Sequence, residues 1–231
     1  MTTVLKTVLW VSLEYSVNGW SDIGDSERMV SREAVVLPPP PRRQPTARQR
    51  ALLSQLEALF LAEGFAEFTL EDLAARLHCS KSTLYALAPS KEQLAVKVVA
   101  HYFRGAAERI EERVDGIEDA RKLIGEYLAG VAEQLNRASA RFMADIAEFG
   151  PARETYQLNS RVVAQRIRAF IDQGVADGVF RDVHARLVAE MTGLIIEGIQ
   201  TGVLGSRIDV PDAEAFTALG ELLLGGLTKD S

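Results

Sequence analysis

One cysteine, three histidines and two tryptophans are all that 231 residues supply of those types. A single thiol, Cys79, cannot close an internal disulfide, and it fits a reducing, cytoplasmic setting. His78, His101 and His184 are scattered, without the clustering that a zinc site needs. There is no Gly-x-Ser-x-Gly elbow and no phosphate loop, so no catalytic residue, metal ligand or cofactor is assigned. No apolar run approaches the roughly 20 residues of a membrane span. The stretch "TVLKTVLWVSLEY" has some signal-segment character, but no small-residue cleavage site follows, and export is not expected. A chain of this size buries roughly 70% of its unfolded surface, so neither staple nor metal is required for folding.

Excess positive charge is also lacking. The net charge is −6, which argues against a protein that coats nucleic acid generally. The distribution is uneven. Residues 40–104 carry nine Lys/Arg against six Asp/Glu, a balance of +3, whereas residues 105–231 carry fourteen against twenty-one, a balance of −7. A mildly basic module on an acidic one permits local DNA binding while suppressing nonspecific adhesion.

Residues 1–45 read as a disordered N-terminal extension ending in "VLPPPPRRQP", whose proline run favours extended polyproline II. Trp10 and Trp20 sit there without periodicity, and Met29 is a candidate natural start, a reading on which residues 1–28 are foreign to the native chain. Beyond the tail the pattern is helical throughout. Thr46 and Gln49 form a capping box ahead of Leu52, Leu56 and Phe60, and Gly64 supplies a left-handed stop. Thr69 with Asp72 opens a short helix. Ser80 or Ser82 caps a third, which Pro89 ends, and Ser90 with Gln93 opens a long one at Lys91. Further helices are expected near 91–113, 117–136, 138–148, 151–176, 183–205 and 212–225. The fold class is all-α, with an N-terminal three-helix unit over 46–104 and a C-terminal helical unit over 105–231.

Two short helices joined by a tight turn and braced by a longer one form a helix-turn-helix, here about 70–89. From spacing alone, a plain helical hairpin in a bundle fits nearly as well. The residue string separates them. "TLEDLAARLHCSKSTLYALAPSKEQL" resembles the DNA-binding domain of the tetracycline-repressor (TetR) family, in which a Ser-x-x-Thr-Leu-Tyr run precedes a Phe-x-x-Lys turn. Thr83, Leu84, Tyr85, Pro89, Ser90 and Lys91 fall on that motif, with Gly64 and Thr69 upstream. Two residues depart from it. His78 stands where the family usually has glycine in the turn, and Ala88 replaces the phenylalanine that plugs the interhelical space, a role left to Phe65 or Phe68.

Lysine at the start of a helix is misplaced against the macrodipole unless an anion faces it. The resemblance implies that Tyr85 and Lys91 touch backbone phosphates of double-stranded operator DNA and that Thr69 belongs to the same surface. Base reading is expected from Lys81, Ser82 and Thr83, with Ala86 limited to a thymine methyl. Arg42, Arg43 and Arg48 form either a DNA-reaching arm or a solvated linker. The resemblance further implies a homodimer built through Leu187, Met191, Leu194, Ile195 and Gly198 on one helix, with Gly202 beyond it, and Phe216, Leu219, Leu222 and Leu223 on another. It implies a small-molecule effector in a cavity for which His101, Tyr102, Tyr127, Phe142, Met143 and Tyr156 are the candidate lining. The function expected is a ligand-responsive repressor acting on an inverted repeat. The alternative, from another class, is an all-α small-molecule-binding or catalytic protein retaining a vestigial helix-turn-helix.

Overall fold

The computed structural model describes residues 46–180, 185–200 and 202–227, and every element among them is helical. The tail, with Arg42 and Arg43, lies outside the described residues, as does His184. In chain order the helices are α1 (Ala47–Glu63), α2 (Leu70–Arg76), α3 (Lys81–Tyr85), α4 (Lys91–Val114), α5 (Ala120–Asn136), α6 (Ala140–Glu148), α7 (Gly150–Ala176), α8 (Ala185–Gln200), α9 (Gly205–Ile208) and α10 (Asp212–Leu227).

Polar caps set the helix starts. Thr46–Gln49 and Thr69–Asp72 are complete capping boxes, each with the side chain at N3 returning to the cap backbone. Ser80, not Ser82, caps α3. At α4 the Ser90 half of the expected box is formed, its hydroxyl accepting from the Gln93 amide at 3.2 Å. α3 stops at Tyr85, ahead of Pro89, because Leu87 and Ala88 both donate to the Leu84 carbonyl and close a turn there. The helix expected over 183–205 is two pieces. Gly202, at φ +72°, lies in the turn between α8 and α9, beyond the helix that carries Gly198.

The turn of the helix-turn-helix keeps its backbone despite the missing glycine. His78 takes φ +48°. Its amide donates to Ala75 O at 3.3 Å and the Cys79 amide to Ala74 O at 2.9 Å, the paired bonds of a Schellman stop. A left-handed conformation costs a non-glycine residue about 1–2 kcal/mol, and glycine returns roughly half of that as freedom lost on folding. His78→Gly is therefore expected to raise unfolding stability by about 0.5–1 kcal/mol, readable in urea titrations; an unchanged or lowered midpoint would mean the imidazole contributes more than the strain.

Two apolar clusters result. The first joins α1–α3 to the first half of α4 and continues into Phe142, Ile146, Ala152 and Tyr156. Phe65 packs edge-on against Phe142 and Phe68 stacks on Phe60, and both belong to the same cluster as the buried Ala88. The second cluster joins the end of α4 to α5, α7, α8 and α10. α10 packs chiefly on α5, and α8 on α7.

That packing corrects part of the expected subunit contact. Phe216, Leu219 and Leu223 are buried in the chain's own second cluster, because this stripe of α10 is the one turned toward α5. Gly198 faces Leu204 of the same chain. The residues left outward are Leu187, Met191 and Leu194, one turn apart along α8, and Leu222 on the opposite side of α10; Leu194 is 68% exposed and Leu222 66%. Ile195 is half-buried between the two faces.

Candidate nucleic-acid interface

α3 presents two sides. Leu84 is inside, while Ser82, Tyr85 and Ala86 are exposed and Thr83 is partly so; Tyr85 shows 51% of its surface. Ser80 Oγ lies 2.7 Å from Ser82 Oγ and 2.8 Å from Thr83 Oγ1, so the three hydroxyls form one small network at the N-terminus of α3. Rotatable hydroxyls of this kind can donate or accept at a base edge. The Lys81 ammonium pairs with the Glu71 carboxylate of α2, so it is held in the free protein rather than extended into solvent. Lys97 Nζ donates to the Leu87 carbonyl at 2.7 Å, satisfying backbone left open after α3.

Thr69 and Lys91 flank this surface. Thr69 is exposed, and its hydroxyl donates to Asp72 Oδ2 at 2.7 Å while accepting from the Asp72 amide. That hydroxyl bond, with the Thr69 backbone bond next, holds the Asp72 carboxyl below its usual range. Lys91 has a partner that the sequence does not reveal: its Nζ donates to the carbonyl of Ala66 at 2.5 Å. In the free protein the group facing the misplaced cation is a neutral peptide oxygen. Arg48 is exposed on the first turn of α1.

Ala66 belongs to the loop between α1 and α2, which a buried carboxylate fastens to the body. Asp145 Oδ2 on α6 accepts from the Phe65 amide at 2.5 Å and the Ala66 amide at 2.9 Å. Arg141 Nε lies 3.3 Å from its other oxygen. Gly64 is at φ +78° with Asp145 and Arg141 pressed against it, so no side chain fits there.

Of the six residues expected around an effector, the structure gathers four. Tyr102, Tyr127 and Tyr156 line an inner cavity of about 30 Å³, room for one water, with Phe103 and Phe216. Met143 and Tyr156 line a separate cleft of about 940 Å³ between α6, the start of α7 and residues 209–213. Burial raises all three phenols above their usual range, Tyr102 to about 12, and two of them donate, Tyr102 to the Gln134 carbonyl and Tyr156 to Asp212 Oδ2. His101 and Phe142 line neither space. His101 Nδ1 lies 2.6 Å from Glu57 Oε2 of α1, because its side of α4 faces the DNA-binding helices. Phe142 is a fully buried member of the first cluster.

Residues 52–98 match the N-terminal domain of bacterial regulatory proteins, tetR family. No curated protein matches the chain. Among solved structures, a transcriptional regulator from Saccharomonospora viridis in complex with choline is 20% identical, over 78% of this chain and 97% of that one, with a TM-score of 0.60. A TetR transcriptional regulator from Chloroflexus aurantiacus is 21% identical over 78% and 96%, also at 0.60. Reduced NemR from E. coli is 17% identical over 79% and 98%, at 0.59. At these identities the likeness establishes a shared fold. With a helix-turn-helix in place at residues 70–85 and the matched segment spanning it, residues 52–98 form a DNA-binding domain of the kind found in bacterial regulatory proteins of the tetR family.

Proposed function

We propose that the protein is a ligand-responsive transcriptional repressor that binds an inverted-repeat operator as a homodimer. The carrying observation is the outward side of α3, where the hydroxyl network, Tyr85 and Ala86 are presented to solvent on a helix held by Leu84. In this reading Tyr85 and Lys91 reach phosphates, Thr69 and Arg48 extend the same surface, and Lys81, Ser82 and Thr83 read base edges, with Ala86 against a thymine methyl. Lys81 and Lys91 exchange Glu71 and the Ala66 carbonyl for DNA. The subunit contact is the exposed α8 face of Leu187, Met191 and Leu194, with Ile195 and Leu222 beside it. The regulator from S. viridis was solved with a small molecule, which supports a ligand-binding role for a body of this fold.

The test is a binding titration on DNA from the protein's own upstream region, at several salt concentrations, with wild type and Lys91→Ala. Each dimer variant loses two phosphate contacts, so the slope of log affinity against log salt should become shallower by about 1.8, at ~0.9 per contact. Specific and nonspecific DNA should weaken alike, since a phosphate carries no base identity. Stability should move by no more than about 1 kcal/mol, because losing the exposed Ala66 bond offsets the relief of a cation at a helix start. An unchanged salt slope together with a destabilised fold would make Lys91 structural.

A further inference from the structure

The 940 Å³ cleft has apolar walls from Leu135, Met143 and Ile146, and three charged residues line it among the described residues: Arg153, Asp209 and Asp212. Arg153 is exposed, and its Nη1 donates to the Ala147 carbonyl at 2.8 Å. Asp209 is exposed on a turn at φ +50°. Asp212 differs from both. It is half-buried, its Oδ2 accepts from the Tyr156 hydroxyl at 2.7 Å, and no cation stands within ion-pair distance of it among the described residues. Burial holds its carboxyl above the usual range, against the lowering effect of the Tyr156 bond.

A half-buried carboxylate with one neutral side-chain donor offers a favourable place for a cation. The start of α10 favours negative charge there, and the Tyr156 hydroxyl is the side-chain donor that the carboxylate has among the described residues. A positive group in the cleft would meet that carboxylate where water screens weakly, while the attached hydrocarbon covers the apolar wall. Counted together, two carboxylates and one guanidinium leave the lining at −1, which disfavours an anion. We propose that the cleft is a binding site for an organic cation with an apolar body, with Asp212 as its counter-ion and Tyr156 orienting the carboxylate. The proposal rests on the reading of the chain as a ligand-responsive regulator, whose effector site it would specify.

Calorimetric titration of the full chain with a graded series of alkyltrimethylammonium ions tests it, alongside alcohols and carboxylates of matched length. The ammonium ions should bind at least about ten-fold more tightly than the matched alcohols, the equivalent of about 1.4 kcal/mol. Asp212→Asn should remove that preference and leave alcohol binding as it was, while circular dichroism shows the fold intact. The free variant should melt no lower than wild type, because a desolvated charge has been removed. Ammonium binding to wild type should weaken as pH falls and Asp212 takes up a proton; the variant should show no such dependence. Equal affinity for alcohol and ammonium, undiminished ammonium binding by Asp212→Asn, tighter binding of the carboxylates, or no ammonium binding at all would each overturn the site. The regulator reading is judged separately, by whether the unliganded wild type binds specific DNA.

Discussion

Leu194→Asp should leave each chain folded and abolish operator binding. Leu194 is 68% exposed in the single chain, so an aspartate there stays hydrated in a monomer and should change its unfolding free energy by no more than about 1 kcal/mol. In a dimer that buries the α8 face, the same carboxylate is desolvated without a partner, at about 3–5 kcal/mol each. Two copies meet at a two-fold contact, so dimerisation should weaken by at least about 10⁴-fold. One monomer presents one recognition helix, and affinity for a two-half-site operator collapses with the dimer. Sedimentation velocity and gel shifts read both effects, with circular dichroism confirming helicity. A variant that remains dimeric and DNA-binding would move the contact away from α8.

Asp145→Ala should have the largest effect on stability. It strips the acceptor from the Phe65 and Ala66 amides, where Phe65 is buried, and it leaves Arg141 with Glu67 as its remaining carboxylate partner. Hydrogen bonds to a charged group contribute about 1.5–3 kcal/mol each, so the expected loss is about 3–5 kcal/mol in chemical unfolding. Asp145→Asn keeps an oxygen able to accept from both amides and should lose less than half as much. A loss below about 1 kcal/mol for the alanine variant would show that water replaces the carboxylate readily. α6 is also a wall of the cleft, through Met143, Ile146 and Ala147. The same helix therefore touches the cleft on one side and holds the loop preceding the helix-turn-helix on the other.

The elements with local causes were legible in the sequence. Capping pairs three residues apart located the starts of α1, α2 and α4, since each bond that fixes them is confined to one helical turn. α3 was legible as a candidate recognition helix through the residue string around Thr83, Leu84 and Tyr85, since its spacing alone fits a plain helical hairpin nearly as well. Contacts between distant segments were not. The Asp145 latch spans eighty residues, and Lys91 finds Ala66 twenty-five residues away, at a carbonyl that no side-chain pattern marks. His101 reads as a cavity residue until α1 is docked and Glu57 appears beside it. The apolar residues of α10 surround much of the helix, so their spacing could not say which stripe meets α5; Phe216, Leu219 and Leu223 went inward and Leu222 stayed outside. The cleft was hidden for a similar reason. Its carboxylate, Asp212, reads in sequence as an ordinary acidic helix start.

The central claim is that two symmetry-related copies of α3 read DNA. Selection of bound fragments from random duplex DNA by the purified full chain, followed by sequencing, tests it most directly. The account predicts a single enriched motif that is an inverted repeat, with half-site centres roughly 34–36 Å apart, one helical turn of DNA, or a multiple of that spacing. Enrichment of direct repeats or isolated half-sites, or no enrichment over the input pool, would contradict it.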